Sequence, residues 1–150
     1  EGLPTRARTL VEGGRLTGWL MDSAAARQLG GQPTGHAARG AGGAPGVGAS
    51  NVHLAAGSLS PAALMADIVD GVYVTELIGH GVNGVTGDYS RGASGYRIQG
   101  GEITGPIAEF TVAGNLIDMF ARLSVANDLE WRRSINVPTI RVDGLMIAGD

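Results

Sequence analysis

Glycine placement constrains this chain more than any other feature. Nine of its 26 glycines lie between Gly30 and Gly57, and ten more between Gly71 and Gly105; only three follow. Glycine loses the most backbone freedom on folding and serves where the chain turns or approaches another backbone closely. This punctuation divides the sequence into short segments, read here in order.

Two short runs, Arg6 to Val11 and Arg15 to Met21, flank Gly13-Gly14 and predict a β-hairpin. Asp22 or Ser23 can cap an alanine-rich helix that Gly30-Gly31 closes. Residues 31–50 lack periodicity and read as a long loop, followed by a strand from Asn51 to Ala55. Ser60-Pro61 opens a second helix whose apolar face carries Leu64, Met65, Ile68 and Val69 until Gly71. Val72 to Ile78 is a strand, and the glycine-dense stretch 79–95 reads as turn-rich loop. A hairpin around Gly100-Gly101 leads into a strand from Ile107 to Val112. Asn115 caps a third helix with a core-facing stripe of Leu116, Met119, Phe120 and Leu123. Pro138 to Ile147 supplies a last strand or two. The expected class is α+β: mostly antiparallel sheet with hairpins and about three short helices.

Composition excludes several chemistries. The 11 basic residues are all arginine, so there is no phosphate-loop or Schiff-base lysine. There is no cysteine, hence no disulfide, thiolate ligand or thiol nucleophile. The net charge of −3 spreads the arginines among 14 acids, so no basic face for nucleic acid is expected. No apolar run reaches the length of a membrane span, and no signal-peptide pattern opens the chain. The start at Glu1, without an initiator Met, reads as the C-terminal piece of a longer protein.

Three candidate sites compete with plainer readings. Gly79-His80-Gly81-Val82-Asn83-Gly84 matches G-x-G-x-x-G, but dinucleotide binding needs a helix directly afterwards. Glycines at 87, 92 and 95 argue against one, and a turn between strands is the better reading. His36, His53 and His80 lack the near-neighbour pairing of zinc ligands and read as loop or surface groups. A hydrolase could use His80, Asp88 and Ser94 or Ser90, yet the G-x-S-x-G elbow is absent. An Asp88–Arg91 ion pair ordering the turn is preferred.

The run Thr75-Glu76-Leu77-Ile78-Gly79, continued by Gly81-Val82-Asn83-Gly84-Val85-Thr86-Gly87-Asp88-Tyr89-Ser90-Arg91-Gly92-Ala93-Ser94-Gly95, resembles the C-terminal domain of the TldD/PmbA metalloprotease family. It is most similar to the PmbA (TldE) branch. Thr34-Gly35-His36-Ala37, Thr111 to Leu116, Ala126 to Glu130 and Ile147-Ala148-Gly149 extend the likeness along nearly the whole chain.

The resemblance implies a cytoplasmic heterodimer, in a family also described as modulators of DNA gyrase. The TldD-type catalytic subunit carries zinc on an H-E-x-x-x-H helix, completed by a cysteine from its C-terminal domain. The PmbA-type subunit lacks those ligands and helps enclose a chamber for unfolded or leader peptides. On this reading residues 1–150 are a single C-terminal domain whose N-terminal domain is absent. The chain is non-catalytic and holds no cofactor, and the zinc belongs to the partner. Its lack of cysteine and of H-E-x-x-x-H agrees with that branch. Asn83, Gly84, Gly87, Asp88, Tyr89, Ser90, Arg91, Gly92, Ser94 and Gly95 become candidates for the peptide or partner interface. A stand-alone hydrolase using His80, Asp88 and Ser94 is the alternative.

Overall fold

The computed structural model describes residues 1–149. The chain forms two compact units. One comprises Glu1–His53 with Arg132–Ile135, the other Leu54–Trp131 with the chain from Asn136 onward.

The first unit holds β1 (Val11–Glu12), β2 (Arg15–Leu16), α1 (Ser23–Leu29), β3 (Ala37–Ala38), β4 (Gly46–Val47) and β5 (Val52–His53). β1 and β2 form the predicted antiparallel hairpin, shorter than expected. Gly13 and Gly14 both take positive φ, as a two-residue turn matched to strand twist requires. The Asp22 carboxylate caps α1 by accepting from the Ala25 amide at 2.7 Å, and Gly30 ends the helix in the left-handed region. The stretch 31–50 is not uniform loop, since β3 and β4 pair across Gly40 to Gly43. Buried Thr34 fastens this unit: its hydroxyl donates to the Met21 carbonyl at 3.0 Å and accepts from the Met21 amide at 2.9 Å.

The second unit contains α2 (Pro61–Met65), β6 (Asp70–Ile78), β7 (Asp88–Gln99), β8 (Glu102–Asn115), α3 (Leu116–Ala121), β9 (Leu123–Val125), β11 (Ile140–Val142) and β12 (Met146–Ala148). A short β10 (Ile135–Asn136) falls at the boundary in sequence. The main sheet is antiparallel with order β12-β8-β7-β6, while β11 pairs separately with β9. The α+β class with mainly antiparallel pairing is therefore correct.

The core rests on one face of this sheet. Ala93, Phe110 and Val112 are buried there, with Val72, Val74, Tyr89, Ile107 and Leu145 packed around them. Ile107 and Phe110 are three positions apart, so strict alternation would send them to opposite faces. Glu109, with φ of 59°, is the extra residue of a bulge where the β7–β8 register shifts, and both side chains reach the core. Pro106 lies in β8 beyond the three residues that pair with β12, where one strand edge is open and no amide is needed.

Two predicted helices are shorter than their patterns suggested. α2 stops at Met65; Leu64 is buried but Val69 is 83% exposed. The Ile68 and Val69 carbonyls are taken instead by the amides of Gly101 and Gly100, at 2.8 and 3.0 Å. The β7–β8 turn thus competes successfully for groups a continuing helix would need. α3 buries no residue fully: Leu116, Met119 and Leu123 of its stripe are half-buried, and only Phe120 is exposed.

An arginine ion-pair cluster and a hydrogen-bonded carboxylate brace this unit. Arg141 donates to the Leu64 carbonyl at 2.7 Å and pairs with Asp67 and Asp143. Hydrogen bonding from Arg141 holds the Asp67 carboxyl below its ordinary range. Asp128 accepts from the Thr139 amide and hydroxyl at 2.8 and 2.7 Å, and the hydroxyl bond chiefly lowers its pKa.

Gly95 is packed so tightly that a methyl there would strike the Tyr73 carbonyl, whereas Gly105 has open space. Gly95→Ala is expected to lower stability by about 1–3 kcal/mol and Gly105→Ala to change it by less than about 0.5 kcal/mol, read by urea denaturation. Asp128 has a depressed folded pKa, so its contribution is present above the unfolded value near 3.9 and fades as pH falls through the folded one. Asp128→Asn is therefore expected to flatten the stability-versus-pH curve in that acidic window.

Candidate functional site

The segment singled out by sequence divides in two. Residues 79–87 form a compact turn, but Asp88 to Gly95 belong to β7, which corrects the expectation of loop throughout. Antiparallel pairing on both sides holds this glycine-rich strand, so neighbours supply what local propensity lacks.

Asn83 organises the turn. Its side-chain oxygen accepts from the amides of Val85 and Thr86 at 2.9 and 3.2 Å. Its own amide donates to the Asp88 carbonyl, and its carbonyl accepts from the Gly87 amide, both at 2.8 Å. An Asx residue can hold a turn this way without help from packing. The Thr86 hydroxyl donates to the Asp88 carboxylate at 2.7 Å.

Asn115 closes the turn from the other side. Its side-chain nitrogen donates to the Thr86 carbonyl at 3.0 Å, while its oxygen accepts from the Ile117 amide at 3.1 Å. The Leu116 amide donates to the Gly87 carbonyl at 2.7 Å. One side chain therefore caps α3 and clamps the turn; sequence reading found only the cap. At the base, the Ser90 amide donates to the Gly81 carbonyl at 2.7 Å, and any side chain at Gly81 would collide with the Ser90 backbone.

The predicted site residues fall into different environments. Asn83, Gly84, Asp88 and Ser90 are exposed; Gly87, Gly92 and Ser94 are half-buried. Tyr89 packs on the core cluster, and Gly95 is buried against Tyr73, so both serve the sheet's interior. The expected Asp88–Arg91 ion pair does not form. Three strand positions place the two side chains on opposite faces. Arg91 instead donates to the Leu77 carbonyl at 3.0 Å, and its Nε is buried without a partner. Missed from sequence was Val85 at the turn's tip, 95% exposed, with exposed Val82 in the same turn and exposed Ile117 on α3.

This arrangement does not bring the hydrolase residues together. Asp88 and Ser94 stand six positions apart along β7, about 20 Å at strand rise, far beyond hydrogen-bond reach. The dinucleotide reading fails for the anticipated reason: strand β7, not a helix, follows Gly84 to Gly87. Of the histidines, His36 bonds the Thr34 hydroxyl at 3.1 Å and His80 is exposed in the turn. No group of three His, Cys, Asp or Glu suited to a metal occurs among the described residues. No helix among them is long and apolar enough to cross a membrane.

Residues 1–149 match the PmbA/TldA metallopeptidase C-terminal domain. The Metalloprotease PmbA of Escherichia coli O157:H7 is 41% identical, over 99% of this chain and 31% of its own length. The solved structure of TldE from Thermococcus kodakarensis superposes with a TM-score of 0.86 at 27% identity, covering 99% of this chain and 35% of that one. A Thermotoga maritima structure named for modulation of a DNA gyrase gives 0.82 at 31% identity, covering 98% and 34%. The chain thus spans about a third of the length of the curated relatives it matches.

Asn115→Ala is expected to cost about 1–2 kcal/mol, because it removes a helix cap and the bond to the Thr86 carbonyl together. Faster amide exchange confined to 83–88 and the start of α3 would mark that double role.

Proposed function

The chain belongs to the PmbA/TldD metallopeptidase family, and from that premise we propose that it is the C-terminal domain of a non-catalytic, TldE-type subunit. It pairs with a TldD-type catalytic subunit that holds the zinc, and the complex cleaves unfolded or leader peptides. The cytoplasm is the compartment proposed for it, and no direct contact with nucleic acid is part of the reading. The absence of cysteine supports the non-catalytic role, because a thiolate is the ligand the resemblance asks of a catalytic C-terminal domain.

The observation that carries the pairing role is the presented turn. Hydrogen bonds from Asn83 and Asn115 fix its backbone, yet Val85 at its tip is almost wholly in water. An apolar side chain held out on a rigid loop contributes nothing to this unit's core. It suits burial in a partner, since ordering costs at an interface fall when the loop is already fixed.

Val85→Asp in a full-length subunit carrying this domain tests the reading. Such a change is expected to weaken co-purification with a TldD-type subunit about tenfold or more, with peptide cleavage falling in parallel and the circular dichroism unchanged. Unaltered pairing and cleavage would overturn the role of the turn. Stoichiometric zinc in this chain alone would overturn the non-catalytic assignment.

A further inference from the structure

The turn at 79–87 exposes Asn83 and Gly84 side by side to solvent. Asn51, Asn115, Asn127 and Asn136 precede Val, Leu, Asp and Val; of the chain's asparagines only Asn83 precedes glycine. The main-chain nitrogen that follows an asparagine can attack its side-chain carbonyl carbon. That attack is least hindered when the following residue has no Cβ and a free choice of backbone conformation.

The fold adds two features to this pairing. The Asn83 side-chain oxygen accepts from the Val85 and Thr86 amides at 2.9 and 3.2 Å. These are two main-chain donors aimed at the oxygen that turns negative when Cγ becomes tetrahedral, as in an oxyanion hole. Gly84 supplies the attacking nitrogen, and its amide has no acceptor among the described residues. No bond within the protein therefore has to break before that nitrogen loses its proton. Asn115 is the contrast. Its oxygen accepts from one amide, that of Ile117, and the nitrogen that would attack it belongs to Leu116 and donates to the Gly87 carbonyl at 2.7 Å.

We infer that Asn83 is a site of spontaneous deamidation, prepared by the turn's own hydrogen bonds. The Gly84 nitrogen gives its proton to water and bonds to Cγ of Asn83. The Cγ–Nδ2 bond breaks and ammonia leaves, closing a succinimide ring. Water then opens the ring at one of its two carbonyls. Cleavage between Cγ and nitrogen leaves aspartate in an unchanged main chain. Cleavage between the main-chain carbonyl carbon and nitrogen leaves isoaspartate, with the chain rerouted through Cβ. One water is consumed and one ammonia released, and no oxidant or reductant takes part. Aspartate keeps both acceptor bonds and adds a negative charge to a turn that already holds Asp88. Isoaspartate lengthens the main chain between the Asn83 amide, bonded to the Asp88 carbonyl, and the Val85 and Thr86 amides. The spacing that lets both sets of bonds form is then lost, and the tip carrying Val85 loosens. The reaction stands apart from subunit pairing; only its effect on a partner rests on the reading of Val85 given above.

Ageing the purified chain in mildly alkaline buffer made with heavy-oxygen water tests the inference. Mass spectrometry of its fragments is expected to show the isotope at residue 83, mostly in isoaspartate, and none at Asn51, Asn115, Asn127 or Asn136. A short peptide spanning Val82 to Gly87 is the reference, and the folded chain is expected to convert at least as fast. Gly84→Ala separates the chemistry from the fold. Gly84 has open space where a Cβ would stand and a φ outside the left-handed region, so alanine fits there. The variant is expected to keep its circular dichroism and to convert about tenfold more slowly, because a methyl group restricts the approach of the attacking nitrogen. Amide exchange at 83–88 is expected to quicken in the isoaspartate fraction and to stay unchanged in Asn83→Asp. An unlabelled Asn83 would overturn the proposal. So would label spread evenly over the asparagines, or a folded chain slower than the peptide. Every readout uses this chain alone, so a failure of pairing with a catalytic subunit leaves the outcome untouched.

Discussion

The second unit depends on how closely β7 approaches its neighbours. Ala93 sits beneath Phe110, and Gly95 touches the Tyr73 carbonyl with no room for a side chain. Small residues in the middle of the sheet let a thin core close over one large side chain, Phe110, which is almost wholly buried. Burying a phenylalanine contributes about 1.5–3 kcal/mol of transfer free energy, so a core with few such residues leaves little margin for disturbance. The bulge at Glu109 belongs to the same economy of space: it turns Phe110 and Ile107 to one face where alternation would separate them.

Because that core is thin, polar contacts fix what apolar packing leaves loose. The turn at 79–87 is held almost entirely by Asn83, Thr86, Asp88 and Asn115. Arg141 ties the end of α2 to the strand that carries it, and Asp128 ties its own segment to Thr139. None of these ties replaces a continuous core.

Much of this was legible from the residues. The caps at Ser60 and Asn115, and the first one to within Asp22 or Ser23, follow from residue type, because a cap needs only a short acceptor ahead of a helix. The hairpins at Gly13-Gly14 and Gly100-Gly101 followed from turn chemistry. The length of α2 was not legible, since the amides that take the Ile68 and Val69 carbonyls come from a turn more than 30 residues later. For the same reason Asp88 to Gly95 read as loop: glycine content signals weak intrinsic strand preference, whereas pairing on both edges is a tertiary fact. In the turn, the motif drew attention to Asn83 and Asp88, but the outward aim of Val85 depends on an Asx turn that no periodicity reports.

The placement of exposed apolar groups carries the last step. Val82 and Val85 on the turn and Ile117 and Phe120 on α3 belong to two elements joined by the Leu116–Gly87 and Asn115–Thr86 hydrogen bonds. Isolated exposed apolar residues are ordinary on a protein surface. Four of them fixed by shared hydrogen bonds form a surface whose shape is set before any partner arrives.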